Sequence, residues 1–347
     1  MRFLAIAIAV SFAVFIALAM AGAPKFLESA LASAGSPTPT PTPAPAPTPT
    51  LNVMDYGAKH DNVSDDVAAI KSAVAAAVAV GGGTVYLPAG TYMLYANELI
   101  DHPSNSMRAN LVLRDHVTFK GDGIGRTILR STAPSYTSCF GSTYGTDLHV
   151  EDMTLTTSRA RHAGDGDGIK LQGIADSSFT NVYAEYFYID FMIYGSQNVT
   201  FTGCKARGGL VAGTGTTMNF VVDSFSPSVF PYTDNILFDN CESYESQQCG
   251  FWAYIGEGTG SDSFRVNNVT YKNCYAHDND GAGFYSNWSD NCTWEGCTSN
   301  NNGWAFLVDH AKDYYFTGCT ASGNSGDGNA SNGNAIPYIY ATSNARP

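Results

Sequence analysis

Positive charge is scarce in this chain. Among 347 residues, 18 lysines and arginines face 31 aspartates and glutamates, a formal net charge of −13. Nucleic acid is therefore excluded as a partner, because it calls for a basic face. Unaided capture of an acidic polymer is disfavoured too, unless a bound cation such as calcium reverses the local sign. No cysteines are spaced CxxC and no histidines cluster at ligand spacing, so nothing resembles a zinc site and no metal ligands are assigned. Nor do the eight cysteines read as a disulfide framework. Cys204, Cys241, Cys274, Cys297 and Cys319 fall at one position of a repeat, and Cys292 repeats an inward strand position. They read as buried free thiols, which behave as small hydrophobes. Cys139 and Cys249 fall outside that column.

What is present is a short pattern written many times. Asn198-Val-Thr-Phe-Thr-Gly-Cys204, Asn235-Ile-Leu-Phe-Asp-Asn-Cys241, Asn268-Val-Thr-Tyr-Lys-Asn-Cys274, Asn291-Cys-Thr-Trp-Glu-Gly-Cys297 and Asp313-Tyr-Tyr-Phe-Thr-Gly-Cys319 are the clearest copies, with weaker ones at His116, Asp147 and Asp176. Successive starts lie 31, 29, 22, 37, 33, 23 and 22 residues apart. A base period near 22, lengthened at some turns, marks a solenoid, and alternation of apolar and polar residues makes its unit strands. The bend within each copy is held by Gly121, Asp152, Asn181, Gly203, Asn240, Asn273, Gly296 and Gly318, the residue types that enter the left-handed region cheaply. The next residue, Asp122, Met153, Val182 and then the five cysteines, reads as an inward column stacked between coils.

Composition divides the chain into three zones. In residues 1–36, Arg2 precedes an apolar run from Phe3 to Pro24, which suits either a cleaved signal peptide or a retained membrane anchor. Residues 37–50 alternate Pro, Thr and Ala, an extended semi-rigid spacer. Residues 51–347 form the solenoid domain. A spacer behind an export segment implies an extracellular or cell-surface location, with membrane contact only through the N-terminal segment. The repeats run almost to Pro347, so an uncovered end could pair with another copy and form a homo-oligomer.

Before the coils, Ser64 or Asp65 caps an Ala-rich helical run that stops at Gly81, a natural lid for the open end of a solenoid. The segment Asp55-Tyr-Gly-Ala-Lys59, with Ser64-Asp-Asp66 and Ala69-Ile70, followed by Gly81-Gly-Gly-Thr-Val-Tyr-Leu-Pro-Ala-Gly-Thr-Tyr92, resembles the N-terminal signature of the pectate-lyase-like superfamily. The resemblance implies an all-β fold, a right-handed parallel β-helix with a short N-terminal capping α-helix, and a polysaccharide-directed function. That superfamily holds polysaccharide lyases, glycoside hydrolases, phage tailspikes and mannuronan C5-epimerases. Its polygalacturonase-like members carry NTD, DD, GHG and RIK motifs on successive coils. Here Gly166-Asp-Gly-Ile169 echoes the first, Ile189-Asp190 keeps one acid of the second, and no GHG follows. Mannuronan epimerases carry DPH, whereas the corresponding stretch here is Asp190-Phe-Met-Ile-Tyr194.

A second strand precedes each copy. Ile169, Phe191, Phe284 and Phe306 lie seven residues before the starts at Asp176, Asn198, Asn291 and Asp313, with Phe220 and Phe251 in the same role. If these point inward, their neighbours point outward in two rows: Lys170, Met192, Val221, Trp252, Tyr285, Leu307, and Gln172, Tyr194, Asp223, Tyr254, Asn287, Asp309. On this face, where the superfamily usually binds its polymers, Tyr194, Trp252, Tyr254 and Tyr285 would stack on sugars while Asp223 and Asp309 accept hydroxyls. The strongest catalytic pattern is Arg161-His-Ala-Gly-Asp-Gly-Asp-Gly168 with Asp190 one coil on. Coil spacing near 4.8 Å would put Asp167 and Asp190 within reach of one glycosidic oxygen as an acid/base pair. Lys170 and Arg207 would polarise a uronate or act as base, and His162 would donate a proton. The same Gly-Asp-Gly-Asp-Gly run also fits a plain turn or a loose calcium loop. The expectation is an enzyme that cleaves or modifies a polysaccharide, as lyase, hydrolase or uronate epimerase. The alternative is a non-catalytic surface adhesin using the same face.

Overall fold

The computed structural model describes residues 48–100, 107–132, 136–157, 166–209, 217–224, 232–255, 265–326 and 339–341. The apolar run at 3–24 and most of the Pro/Thr spacer lie outside them. From Thr48 onward the chain forms one compact unit, a right-handed parallel β-helix. Its helix, Val67–Ala79, turns Val67, Ile70, Ala73, Val74 and Ala77 into the first coils. Its N-cap is Asp66 rather than an earlier residue, and the Asp65 carboxylate receives the Val67 N–H at 3.2 Å. Asp66 instead accepts the Lys59 amide at 2.6 Å and ties the signature loop to the helix. Thr50, placed in the spacer by composition, already pairs with Thr84 in the first strand.

Each coil contributes to two sheets. Ten described strands make one, running from Glu98–Ile100 through Met107–Val112, Thr137–Thr143, Ile169–Gln172, Ile189–Tyr194, Met218–Asp223, Phe251–Tyr254, Ala282–Asn287 and Trp304–Asp309 to Ile339–Ala341. Neighbours are parallel except the first pair. The repeat pattern supplies the other sheet, in which strands such as Ala175–Glu185, Gln197–Thr202 and Tyr232–Asp239 stack in register.

The polar ends of the repeat follow from backbone shape. The bend residues Asp152, Asn181, Gly203, Asn240, Asn273, Gly296 and Gly318 all have φ between 51° and 65°. So do the start residues, from His116 at 61° to Asp313 at 54°, apart from Asp176 at 50°. Asn and Asp recur at both places because both need the left-handed conformation. Gly121 is the exception: it does not take positive φ, and a Cβ there would lie 2.2 Å from the Asp152 carbonyl oxygen. Its follower Asp122 leaves the inward column, accepting the Tyr86 hydroxyl at 2.7 Å and the Ala89 amide at 2.8 Å.

Two ladders of rings fill the interior. Phe191, Phe220, Phe251, Phe284 and Phe306 stack at 4.6, 4.7, 4.9 and 5.1 Å. Phe179, Phe201, Phe238, Tyr271, Trp294 and Phe316 form the second. They meet edge to face, as at Phe220–Phe238, the arrangement the ring quadrupole favours.

The cysteine column stands beside them. Cys204, Cys241, Cys274, Cys297 and Cys319 donate to the carbonyls of Phe179, Phe201, Phe238, Tyr271 and Trp294 at 3.2–3.4 Å. All eight cysteines are free, and only Cys319 is not fully buried. Burial pushes the thiols of Cys139, Cys241 and Cys292 up, and that of Cys249 to about 12, which suppresses the reactive thiolate. A thiol-reactive chromophore should therefore titrate at most Cys319 promptly in the native chain and eight thiols in denaturant without reductant. Several fast native thiols, or fewer than eight after unfolding, would contradict buried free cysteines.

Candidate functional site

The outer face of the ten-stranded sheet carries the two rows in the expected register. Lys170 aligns with Met192, Met192 with Val221, Val221 with Trp252, Trp252 with Tyr285 and Tyr285 with Leu307. Gln172, Tyr194, Asp223 and Tyr254 align likewise, as do Asn287 and Asp309. The inward positions Ile169, Phe191, Phe220, Phe251, Phe284 and Phe306 are all buried, and this locks the alternation.

At one end of the face the groups converge. Lys170 Nζ lies 3.3 Å from Asp167 Oδ2 and 5.7 Å from the centre of the Tyr194 ring. Asp167 is buried, and burial raises its pKa above the usual carboxylate range against the opposing pull of Lys170 and the Ile189 amide. Burial, then the charges of Asp223 and Asp167, push the Tyr194 phenol well above the tyrosine range. Asp223, itself buried, is held by the Ser224 N–H at 2.6 Å. The cluster thus offers one cation, a carboxyl inclined to keep its proton, and a phenol that stays protonated.

Farther along, the rings form a platform. Trp252 lies 4.6 Å from Tyr254 and 5.7 Å from Tyr285, nearly parallel to the latter. Burial and the Asp309 charge push the Tyr285 phenol up to about 12. Trp252 Nε1 and Asn287 Oδ1 are buried without a protein hydrogen-bond partner, as few buried polar groups in native structures are. Asp309 Oδ1 meets His310 Nδ1 at 2.8 Å, and His310 stacks on Trp288 at 4.2 Å.

Three candidates fare differently. Asp190 does not face outward beside Asp167. It lies between the aligned pairs Ile189–Met218 and Phe191–Phe220, level with the buried Asn219. Its Oδ1 accepts the Phe187 N–H at 3.2 Å, so the carboxylate is turned onto the bend. Ile189 takes the outward place, packed with Met192 and Val221. The contact described for Asp190 thus lies on the bend rather than on the outward row: strict alternation fails at the strand entry, where the backbone is still turning. Arg207 stands in the other sheet, bonded to Glu245 at 2.8 Å and lying over Tyr186 and Tyr244, none of which belongs to the Asp167 cluster. His162 lies outside the described residues. Sequence reasoning missed Tyr188, which packs on Ile189, Met192 and Val221 and whose phenol is raised by burial and by Asp167. Its place just before the strand gave no alternation to read.

Among the described residues, no three His, Cys, Asp or Glu side chains are grouped to hold a metal ion. In the Gly-Asp-Gly-Asp-Gly turn, Asp165 lies outside the described residues and Asp167 is engaged by Lys170. Among the described residues no helix is long and apolar enough to cross a membrane.

Known proteins place this architecture. Mannuronan C5-epimerase AlgE5 of Azotobacter vinelandii is 39% identical over 123 residues, 34% of this chain and 12% of that protein. Alginate lyase 7 of the same organism is 33% identical over 123 residues, 34% of this chain and 14% of that protein. The chain therefore spans well under two thirds of these relatives' own length. The solved A-module of mannuronan C-5 epimerase AlgE6 from Azotobacter vinelandii superposes with a TM-score of 0.58 at 23% identity, covering 79% of this chain and 77% of the module, a likeness of fold. The family described as rhamnogalacturonase A/epimerase, pectate lyase-like matches residues 50–328, from the cap through the coils that carry both outer rows, and this chain belongs to it.

Proposed function

We propose that the chain modifies an extracellular polysaccharide on the outer face of its ten-stranded sheet, by proton transfer at a uronate residue. The observation that carries this reading is the convergence of Lys170, Asp167 and Tyr194 at the head of an aromatic strip. The acidity of a proton beside a uronate carboxylate rises when that carboxylate is neutralised, and among the described residues of the two outward rows Lys170 is the lysine or arginine able to do so. Asp167, whose pKa burial raises above the ordinary carboxylate value, suits a part in proton exchange. Tyr194, kept protonated by burial and nearby carboxylates, suits donation. Delivery of a proton to the opposite face of the sugar carbon would give epimerisation, and departure of the neighbouring glycosidic oxygen would give elimination. A hydrolase built on an Asp167–Asp190 pair loses support, because Asp190 is committed to the bend. Membership of the family and the partial match to epimerases and an alginate lyase support the polysaccharide class.

The test is incubation of the full chain with acidic and neutral polysaccharides, with calcium and with chelator. New reducing ends, absorbance of unsaturated uronates and NMR of sugar configuration are read together. Absorbance with new ends identifies a lyase, and changed configuration alone an epimerase. New ends without absorbance would mean hydrolysis and overturn the proton-transfer reading. Binding without any of the three would make the face an adhesive one.

A further inference from the structure

The sheet built by the repeat carries a group of polar side chains that the uronate chemistry does not use. His149 and Ser178 pair directly, in register, between the strands His149–Thr157 and Ala175–Glu185. His149 Nδ1 lies 2.7 Å from the Ser178 hydroxyl oxygen, and His149 Nε2 lies 2.8 Å from Asp147 Oδ1. The other carboxylate oxygen of Asp147 meets His116 Nδ1 at 2.8 Å. Hydrogen bonds from His116 and then His149 hold the Asp147 carboxyl below the usual carboxylate range, so it is an anion at neutral pH. A carboxylate only accepts, which puts the proton of neutral His149 on Nε2. Nδ1 is then the acceptor, and the Ser178 hydroxyl donates to it.

A hydroxyl aimed at a base, with the base oriented by an acid, is the arrangement of an activated nucleophile. Here Nδ1 faces the serine and Nε2 the acid, the reverse of the usual order, with both contacts at hydrogen-bond length. The backbone sets it: Asp147 is left-handed at φ 55°, and two residues on the strand buries Val150 and leaves its neighbour His149 facing out. Charged groups nearby have partners of their own. Lys120 meets Glu151 at 2.6 Å and Asp152 at 3.4 Å, Asn198 donates to Asp176 at 2.8 Å, and the Thr146 N–H donates to Asp115 at 2.9 Å. Thr200 pairs with Ser178 on the next coil, about 4.8 Å farther on, where its hydroxyl can donate to an oxyanion formed at Ser178. The His149 and Asp147 side chains remain 26% and 48% exposed. Such an open face gives little grip to a long acyl chain but admits a bulky alcohol.

We infer that Ser178, His149 and Asp147 form a second reactive centre, which hydrolyses short-chain acyl esters such as O-acetyl esters. Ser178 Oγ attacks the carbonyl carbon as its proton passes to His149 Nδ1, and the alcohol leaves with that proton. Water then attacks the acyl-serine and gives a proton to His149, which returns it to Ser178 Oγ as the acid departs. No residue is shared with the proposed function, so either reading can fail without the other. The test treats the folded full chain with an alkyl fluorophosphonate, which phosphonylates an activated serine with loss of fluoride, and locates the label by peptide mass spectrometry. Hydrolysis of p-nitrophenyl acetate and octanoate is followed beside it. The label is expected on Ser178, and the acetate should be cleaved faster than the octanoate. Ser178→Ala and His149→Gln should lower acetate hydrolysis by about 10²-fold or more, with circular dichroism unchanged. Asp147→Asn retains a residue suited to the left-handed backbone, so the coil should fold. Its Ser178 labelling should slow, and the rise of labelling with pH should move to lower pH, because the carboxylate that favours the His149 cation is gone. A folded parent without label on Ser178, or acetate hydrolysis unchanged in Ser178→Ala, would overturn the inference. Faster octanoate cleavage would overturn the short-chain assignment, and an unaltered pH dependence in Asp147→Asn the positioning role of Asp147.

Discussion

Asp167→Asn is expected to lower turnover on an accepted polysaccharide by about 10²–10⁴-fold, the contribution of one positioned acid or base. Asparagine keeps the shape and occupies the same buried place beside Lys170, so the loss should lie in kcat more than in KM. Stability supplies a second readout. Burial raises the Asp167 pKa in the folded chain, so the native state holds this proton more firmly than the unfolded state. The stabilisation it brings is full below the unfolded carboxyl pKa and is lost as pH rises through the folded value. Asparagine mimics the protonated acid and carries no such loss. Urea unfolding from acid to neutral pH should therefore show the variant gaining on the parent as pH rises. The parent gaining on the variant would mean that the Lys170 pair outweighs burial, and Asp167 could not then be the group that keeps its proton.

The second large effect is structural. Phe220→Ala should cost about 3–5 kcal/mol, as large-to-small changes in packed cores do. The ring lies between Phe191 and Phe251 at 4.6 and 4.7 Å and is met edge-on by Phe201 and Phe238, so the neighbouring coils cannot close the gap without giving up their own stacking. Denaturant unfolding followed by circular dichroism checks this. A loss under about 1 kcal/mol would mean that the ladder relaxes freely, contrary to the close packing expected of cores. Val221 and Asp223 are outward on the same strand, so ligand binding should weaken along with the coil.

The repeat was legible because stacking forces like residues into columns: once Phe191, Phe220 and Phe251 are read as one position, each neighbour's direction follows. The rows from Lys170 to Asp309 were legible for that reason. Asp190 was misread because alternation holds only where the strand is extended. Its own column shows the cause: Gly168, Asp190, Asn219, Gly250, Gly283 and Ala305 all stand one residue before the inward ring or Ile169. They are small or turn-forming, as a bend interior requires, and Asn219 bonds there to the carbonyls of Ala206 and Tyr244. Arg207 was misplaced because distance along the chain says little about which sheet a residue reaches in a solenoid. The Lys170–Asp167 contact and the part played by Tyr188 depend on side-chain packing that no period encodes.

The register between coils makes the length of the outer face a stepwise quantity. Each coil adds one residue to each row, about 4.8 Å farther along the axis, and the coils beginning at Asn268 and Asn291 are 23 and 22 residues long. Loss or gain of one such unit would shorten or lengthen the rows beyond Trp252 by one step and leave the direction of the remaining side chains unchanged. Genes of this kind can therefore alter the reach of the protein, as a ruler gains or loses a mark, without redesigning its chemistry.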